Sequence, residues 1–135
     1  MFLTLLIATI LSLDADFVQT KTANMLVEPQ VSAGHMVYHA PDYIRWAYTS
    51  PQAMVWEVNG EQSNVNPQVQ RLLRMIMSAI AGNNIDDTKL QRESKRMFLA
   101  VNIVMDETSG VAQQVELIEK NGDITIIEFS NVVAN

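Results

Sequence analysis

The chain of 135 residues contains no cysteine. Disulfide bonds, cysteine-ligated metals and thiol nucleophiles are therefore excluded, both as supports for the fold and as carriers of a reaction. A chain of this length falls within the usual size of one domain, and it buries enough surface on folding to need no covalent cross-link. We therefore expect a single domain over residues 1–135 that is stabilised by its apolar core.

Basic residues are scarce as well. Nine lysines and arginines stand against 15 aspartates and glutamates, and the formal net charge at pH 7 is −6. Proteins that bind nucleic acids need an excess of positive charge to neutralise phosphates, so this balance argues against a nucleic-acid partner. The basic run at residues 89–96 is more simply interpreted as a solvated surface than as a contact with an acidic partner or with lipid headgroups.

No apolar run is long enough to span a bilayer. The uncharged residues 1–13 resemble the apolar region of a signal peptide, but the positive start and the small-residue cleavage site are missing. Leu6, Ile10 and Leu13 also share one helical face. We favour an N-terminal helix over about residues 2–15 that runs into the first strand, with a signal remnant as the alternative.

Signatures of catalysis and metal binding are also missing. His35 and His39 would be roughly 13 Å apart along one strand, too far to hold one metal. No zinc-protease helix motif, glycine-rich phosphate loop or nucleophile elbow occurs. The acidic pairs Asp14/Asp16 and Asp86-Asp87 are expected to be solvated loop carboxylates. We therefore predict that the protein is not an enzyme and uses no cofactor or metal.

The most informative feature that is present lies at residues 41–51, where an alternating segment stands between two prolines. Ile44, Trp46 and Tyr48 fall on one face of a strand, and small or polar residues fall on the other. The segment predicts a strand over residues 43–49 with one large apolar face. That face either covers an ordinary core or lines a cavity for an apolar ligand.

Alternation predicts further strands before and after this segment. They cover about residues 16–21, 32–39, 53–58, 97–105, 111–119 and 123–133, with Asn-Gly hairpin turns at 59–60 and 121–122. Between the strands at 53–58 and 97–105, the apolar residues recur at helical spacing. A helix is predicted over about residues 67–81, because Asn66-Pro67 is a favourable start and Gly82 a favourable stop.

One amphipathic helix beside an antiparallel sheet with one dry face indicates an α+β fold. Such a sheet and helix could close around an acyl chain, or they could pack directly on each other with no cavity. Periodicity does not separate a binding protein from a scaffold with a filled core, since both bury the same residues.

Several phrases occur in a fixed order along the chain: Asp16-Phe17-Val18-Gln19-Thr20-Lys21, Leu26 through Pro29, Ser32-Ala33-Gly34, Pro41, Arg45-Trp46-Ala47-Tyr48-Thr49-Ser50-Pro51, Val115-Glu116-Leu117-Ile118-Glu119 and Gly122-Asp123-Ile124-Thr125-Ile126-Ile127-Glu128-Phe129-Ser130-Asn131. In this order and spacing they resemble the LolA-like outer-membrane lipoprotein carrier proteins. The resemblance covers most of the chain, although no single phrase is diagnostic.

The resemblance implies a half-open antiparallel β-barrel with helices covering its concave face. It also implies a monomeric periplasmic carrier that binds lipoprotein acyl chains in a hydrophobic cavity and shuttles lipoproteins from the inner to the outer membrane. Its partner would be an ATP-driven release complex of the inner membrane, and the helix at 67–81 would be a lid. The alternative is an envelope-stress sensor or regulatory domain of similar fold that acts through protein partners.

The residues expected to bind lipid lie on the apolar faces of the predicted strands and helix. Leu13, Ile44 and Trp46 match concave, lipid-facing positions of the family. The full set also contains Met36, Tyr38, Tyr48, Met54, Trp56, Leu72, Leu73, Ile76, Met77 and Ile80. The chain departs from the family pattern at Ala40, where some members carry an arginine used to hand the lipid on.

Overall fold

A computed structural model describes residues 11–80, residue 92 and residues 95–135. The elements described there are β1 Ser12–Thr22, β2 Gln30–His39, β3 Tyr43–Ser50, β4 Met54–Asn59, β5 Gln62–Ser63, α1 Pro67–Ile80, β6 Phe98–Met105, β7 Ala112–Glu119 and β8 Ile124–Ala134. Residues 95–97 are also helical and lead directly into β6.

The eight strands form one antiparallel sheet in the order β5-β4-β3-β2-β1-β8-β7-β6. β1 lies inside this sheet and pairs with β2 on one side and with β8 on the other. The first and last strands of the chain are therefore neighbours. Because β5 and β6 are the two edges, the sheet is open, which is consistent with the expected half-open barrel.

Each predicted strand is present, with ends that coincide or are shifted by at most four residues. The predicted helix is confirmed over Pro67–Ile80. Its start has the expected cap, because the side-chain oxygen of Asn66 accepts a hydrogen bond of 2.9 Å from the backbone N–H of Val69. Residue 81 and the predicted stop at Gly82 lie outside the described residues.

The N-terminal helix predicted over residues 2–15 is wrong at its C-terminal end, because β1 begins at Ser12. Leu13, Ala15 and Phe17 are buried on one face, while Asp14 is exposed on the other. The backbone of this segment pairs with β2 and β8, so tertiary pairing decides the conformation where the apolar spacing was compatible with both periods. Residues 2–10 lie outside the described part.

Apolar residues gather on one face of the sheet, in register across β1 to β4. Three rows of directly paired residues cross these strands: Leu13–Tyr38–Ile44–Val58, Ala15–Met36–Trp46–Trp56 and Phe17–Gly34–Tyr48–Met54. From α1, Leu73, Met75, Ile76 and Met77 belong to the same buried core cluster. The helix therefore packs against this face of the sheet, which is called the inner face below.

The opposite, outer face carries a polar cluster that corrects a second expectation. Asp14 and Asp16 lie on β1 and not on a loop, and His35 of β2 stands between them. Its Nδ1 is 2.8 Å from Asp16 Oδ1 and its Nε2 is 2.9 Å from Asp14 Oδ1. Asn131 of β8 donates a hydrogen bond of 2.8 Å to Asp16 Oδ2. Side chains from three neighbouring strands are thus joined. Asp86-Asp87 lies outside the described residues.

Candidate functional site

A cavity of about 150 Å³ lies between α1 and the inner face of the sheet. Most of its lining is apolar, and the N-terminal and C-terminal halves of the chain both contribute residues. The apolar residues are Trp46, Tyr48 and Trp56 from β3 and β4, Leu72, Leu73 and Ile76 from α1, and Phe98, Leu117 and Ile127 from β6, β7 and β8. A mostly apolar space of this kind is suited to hold an apolar group rather than to carry a reaction.

The wall formed by β1, β3 and β4 is a connected set of aromatic rings. Phe17 stacks on Trp46, with centroids 4.0 Å apart and an interplanar angle of 23°. Tyr48 meets Phe17 edge-on at 5.4 Å and Trp56 edge-on at 5.2 Å. Offset stacking and edge-to-face contact are the favoured arrangements of aromatic pairs. The rings therefore hold one another in place, and this wall of the cavity is rigid.

Gly34 makes the aromatic wall sterically feasible. It is paired with Phe17 across β1 and β2. A Cβ atom at Gly34 would clash with the backbone carbonyl of Ala47 and would lie 2.8 Å from Cζ of Phe17. Only glycine leaves room for the Phe17 ring to lie over the backbone at this point, and that ring supports Trp46 from behind.

Polar groups also enter the cavity, and the deepest of them are paired. The Tyr48 hydroxyl donates a hydrogen bond of 2.9 Å to Oε1 of Gln19. Burial raises the pKa of Tyr48 above its ordinary value, so the phenol stays neutral. Thr125, which is buried, lines the cavity as well.

Charged groups stand at the rim of the cavity. Lys21 and Glu119 line it, and the Lys21 Nζ lies 3.9 Å from Oε1 of Glu119 and 4.0 Å from Oδ2 of Asp123. Beyond the rim runs an open groove of about 440 Å³. Leu72, Phe98 and Glu119 line both spaces, so the groove adjoins the cavity.

The helix α1 is tied to the sheet by a specific hydrogen bond. Nη2 of Arg74 donates to the backbone carbonyl of Gly60 at 2.7 Å. Gly60 has a positive φ of 62° and belongs to the turn between β4 and β5. The connection therefore anchors the middle of α1 to the hairpin that carries Trp56.

The structure places the predicted lipid-binding residues in three groups. Those that line the cavity are Trp46, Tyr48, Trp56, Leu72, Leu73 and Ile76. Those that are buried in the core without lining it are Leu13, Met36, Tyr38, Ile44 and Met77. Met54 is 45% exposed. The side chain of Ile80 lies outside the described part.

Met54 differs from its row partners because of its place in the sheet. Alternation assigns it to the inner face together with Trp56 and Val58. However, β5 pairs only with Val58 and Asn59, at the other end of β4. Side-chain alternation along a strand shows which face a residue lies on, but it does not show how far the neighbouring elements extend over that face.

Sequence reasoning missed several lining residues: Gln19, Lys21, Phe98, Leu117, Glu119, Thr125 and Ile127. It also missed the supporting role of Phe17. The one sequence signal that could have revealed some of them is strand alternation, which places Phe17, Gln19 and Lys21 on one face of β1 and Thr125 and Ile127 on one face of β8. Pairing of β1 with β8, which brings Lys21 opposite Thr125, joins positions too distant in sequence for that signal to reveal.

Ala40, the position at which some family members carry an arginine, is partly buried. Its side chain packs against the core cluster, and its backbone N–H donates a hydrogen bond of 2.8 Å to the carbonyl of Leu11.

Among residues 11–80, 92 and 95–135, no group of three His, Cys, Asp or Glu side chains is placed to hold a metal ion. In the same part of the chain, no helix combines the length and apolarity needed to cross a membrane.

Comparison with known proteins gives a match to a family and likenesses to solved structures. The model of the family described as "Outer membrane lipoprotein carrier protein LolA" matches residues 8–83. This match covers more than half of the chain and includes β1 to β5 and α1. A DUF1329 family protein from Desulfovibrio piger is similar in structure, with 8% identity, 95% of this chain and 87% of that chain covered, and a TM-score of 0.35. At that TM-score the likeness carries no argument. No curated protein matches the chain.

Proposed function

The chain belongs to the LolA family of outer membrane lipoprotein carrier proteins, and from this we propose that it is a periplasmic carrier of lipoproteins. In this proposal it binds acyl chains without catalysis and shuttles lipoproteins from the inner to the outer membrane. Helices, α1 among them, cover the concave face of the half-open barrel. It acts as a monomer and receives its clients from an ATP-driven release complex of the inner membrane.

The observation that supports this proposal is the aromatic-walled cavity between α1 and the inner face. Its volume of about 150 Å³ is below the roughly 300–1,000 Å³ of pockets that hold drug-sized ligands. A long acyl chain does not fit until α1 moves away from the sheet. In this proposal α1 is therefore the lid of the cavity, and it must open for an acyl chain to enter.

The energetics allow such a lid to open and close. Leu73 and Ile76 are buried against the inner face, and burial of one such side chain stabilises by about 1.5–3 kcal/mol. An acyl chain that takes their place buries apolar surface worth about 0.8 kcal/mol for each methylene group. The contacts that α1 gives up are thus replaced by contacts of the ligand, and loading needs no external energy beyond release from the membrane.

Co-purification with a bacterial lipoprotein tests the proposal. The protein is produced together with a lipoprotein and isolated from the periplasm, and its bound molecules are identified by native mass spectrometry. We expect a complex with one acylated lipoprotein. Leu72→Glu places a charge in the cavity lining on a half-buried position, and we expect this variant to lose the complex.

Gln70→Glu is the matched control, because it adds the same charge to α1 at a position that does not line the cavity. It should retain the lipoprotein. Equal amounts of acylated protein on Leu72→Glu and on the wild type would rule out this cavity as the site. Stoichiometric recovery of one protein partner without any lipid would instead favour the sensor or regulatory domain.

A further inference from the structure

The polar residues of the cavity form a stripe that leads outward from its interior to its rim. Gln19 and Lys21 are two residues apart on β1 and therefore share the inner face. Thr125 of β8 is paired directly with Lys21, and Leu117 of β7 is paired with Thr125. Glu119 follows Leu117 by two residues on the same face. The cavity consequently has an aromatic side and a polar side, and the polar side ends in charges.

Lys21 is the cation of this stripe, and its hydrogen-bonding capacity is not used up by its two carboxylate neighbours. The distances from its Nζ to Glu119 and Asp123 are 3.9 Å and 4.0 Å. Close charge-assisted hydrogen bonds of an ammonium group measure about 2.7–2.9 Å. An ammonium group has three donors, and the Lys21 side chain is 36% exposed. It can therefore donate to an acceptor of a ligand that enters from the groove.

The charges around Lys21 decide which acceptor is favoured. Glu119 and Asp123 together carry two negative charges beside the one positive charge of Lys21, while Lys120 lines the groove but not the cavity. The whole chain has a net charge of −6, which adds a general repulsion of anions. A free carboxylate brought to Lys21 would meet both neighbouring carboxylates, and like charges at such distances repel. A neutral carbonyl oxygen would accept the hydrogen bond without this repulsion.

We propose that Lys21, held between Glu119 and Asp123, selects acyl chains linked through neutral ester or amide carbonyls over free fatty acids. This inference rests on the proposed function and adds the residue that discriminates between acyl ligands and the orientation of the ligand. The acyl chains lie against the aromatic wall, and their carbonyl groups lie at Lys21. The rest of the ligand leaves through the groove, past Leu72 and Phe98.

Binding of three probes to the full chain tests the inference. The probes are an uncharged peptide whose N-terminus carries one palmitoyl group in amide linkage, ionised palmitate with the same acyl chain, and the neutral apolar dye N-phenylnaphthylamine. The wild type should bind the acylated peptide at least about tenfold more tightly than palmitate, as expected for one well-placed hydrogen bond without opposing charge. Lys21→Met keeps the apolar stem of the side chain and should weaken peptide binding about fivefold, with dye binding unchanged.

Arg45→Met is the matched control for Lys21→Met. It removes the same charge from an exposed position on the outer face, and peptide binding should stay at the wild-type value. An effect of Arg45→Met as large as that of Lys21→Met would mean that net charge, and not the rim, governs binding, and it would overturn the inference.

The double variant Glu119→Gln/Asp123→Asn tests selectivity as a gain of binding, which a damaged fold would not produce. With both carboxylates neutralised, Lys21 becomes an anion site, and palmitate binding should rise about tenfold. Unchanged palmitate binding by this variant, or equal binding of palmitate and peptide by the wild type, would overturn the inference.

The failure of the inference and the failure of the proposed function give different results. A wild type that binds the acylated peptide, together with variants that all behave like it, leaves the carrier function in place and removes the role of Lys21. A wild type that binds neither the peptide nor the dye removes the carrier function and this inference with it.

Discussion

Phe17 and Trp46 stack face to face, with ring centroids 4.0 Å apart and 23° between their planes. Both side chains are 1% exposed. Trp46 lines the cavity, whereas Phe17 lies behind it, over the backbone at Gly34. The orientation of a cavity-lining indole is therefore set by a residue that does not itself line the cavity, and this residue in turn depends on a glycine of the neighbouring strand.

Loss of this support should destabilise the whole domain. Phe17→Ala removes a fully buried ring and leaves a void beside Trp46, so we expect the free energy of unfolding to fall by about 3–5 kcal/mol. Urea denaturation followed by tryptophan fluorescence measures it. Val18→Ala is the control, because Val18 is 42% exposed, and it should cost less than about 1 kcal/mol. Equal losses for the two variants would contradict the supporting role of Phe17.

Substitution of Gly34 should act through the same pair of rings. In Gly34→Ala the new methyl group meets the Ala47 carbonyl and the Phe17 ring, so the strand and the ring must shift. We expect a loss of about 1–3 kcal/mol, typical of overpacking, and a changed tryptophan emission in the folded state. Thermal unfolding and fluorescence spectra measure both effects. A folded spectrum and a midpoint like those of the wild type would show that the sheet absorbs the methyl group freely.

The hydrogen bond between Arg74 and Gly60 should control how firmly α1 is closed. Arg74→Met keeps the apolar stem but removes the donor to the Gly60 carbonyl. We expect a loss of about 1 kcal/mol in the stability of the closed form and faster hydrogen exchange of the α1 amides. Arg71→Met is the control, since within the described residues the Arg71 side chain donates only to the Pro67 carbonyl of the same helix. If the two variants exchange alike, Arg74 does not hold the lid.

Stability should depend on pH through His35. Hydrogen bonds with Asp16 and then Asp14 raise the pKa of His35 above its ordinary value of 6.5. The folded state thus binds the proton of His35 more tightly than the unfolded state. The stabilisation that this binding adds to the free energy of unfolding is fully present below pH 6.5. It is lost as the pH rises through the raised folded pKa. Urea midpoints of the wild type should therefore decline towards alkaline pH more steeply than those of His35→Gln.

The acidic side of the same profile depends on Asp16. A hydrogen bond from Asn131, followed by one with His35, lowers the pKa of Asp16 below its ordinary value of 3.8. Its contribution is present above that value and is lost as the pH falls through the lowered folded pKa. The polar cluster should therefore stabilise most between these two ranges. The matched variant at acidic pH is Asp16→Asn, which removes the titrating carboxyl. A wild-type midpoint curve parallel to that of Asp16→Asn at acidic pH, or to that of His35→Gln at alkaline pH, would contradict the corresponding linkage to folding.

The sequence by itself determined α1, every strand except β5 and the faces of most of their residues, although it extended the N-terminal helix into β1. Two features carried most of the information: the alternation of Ile44, Trp46 and Tyr48, and the capped helix start at Asn66-Pro67. Both are local, because side-chain alternation and helix capping depend on residues within a few positions of each other. The family resemblance also rested on such local phrases, and the family match covers the part of the chain where most of them stand.

Only the tertiary structure decided which apolar residues line a cavity and which fill a core. Ile44 and Trp46 share one face of β3, and both are almost completely buried, yet only Trp46 borders the cavity. The difference depends on what packs above each position, which is α1 and strands distant in sequence. Alternation records the face of a residue and carries no information about what covers it.

The locality of sequence patterns also explains the two wrong predictions, the helix end at Leu13 and the loop placement of Asp14 and Asp16, and the failure to predict the charged rim of the cavity. Leu13 fits a helical spacing and a strand alternation equally well, and pairing with β2 and β8 selected the strand. Asp14 and Asp16 became partners of His35, and Lys21 came to face Glu119 and Asp123, only because the first strand lies between β2 and the last strand. Pairing of distant strands is a property of the folded chain as a whole, and local sequence does not encode it residue by residue.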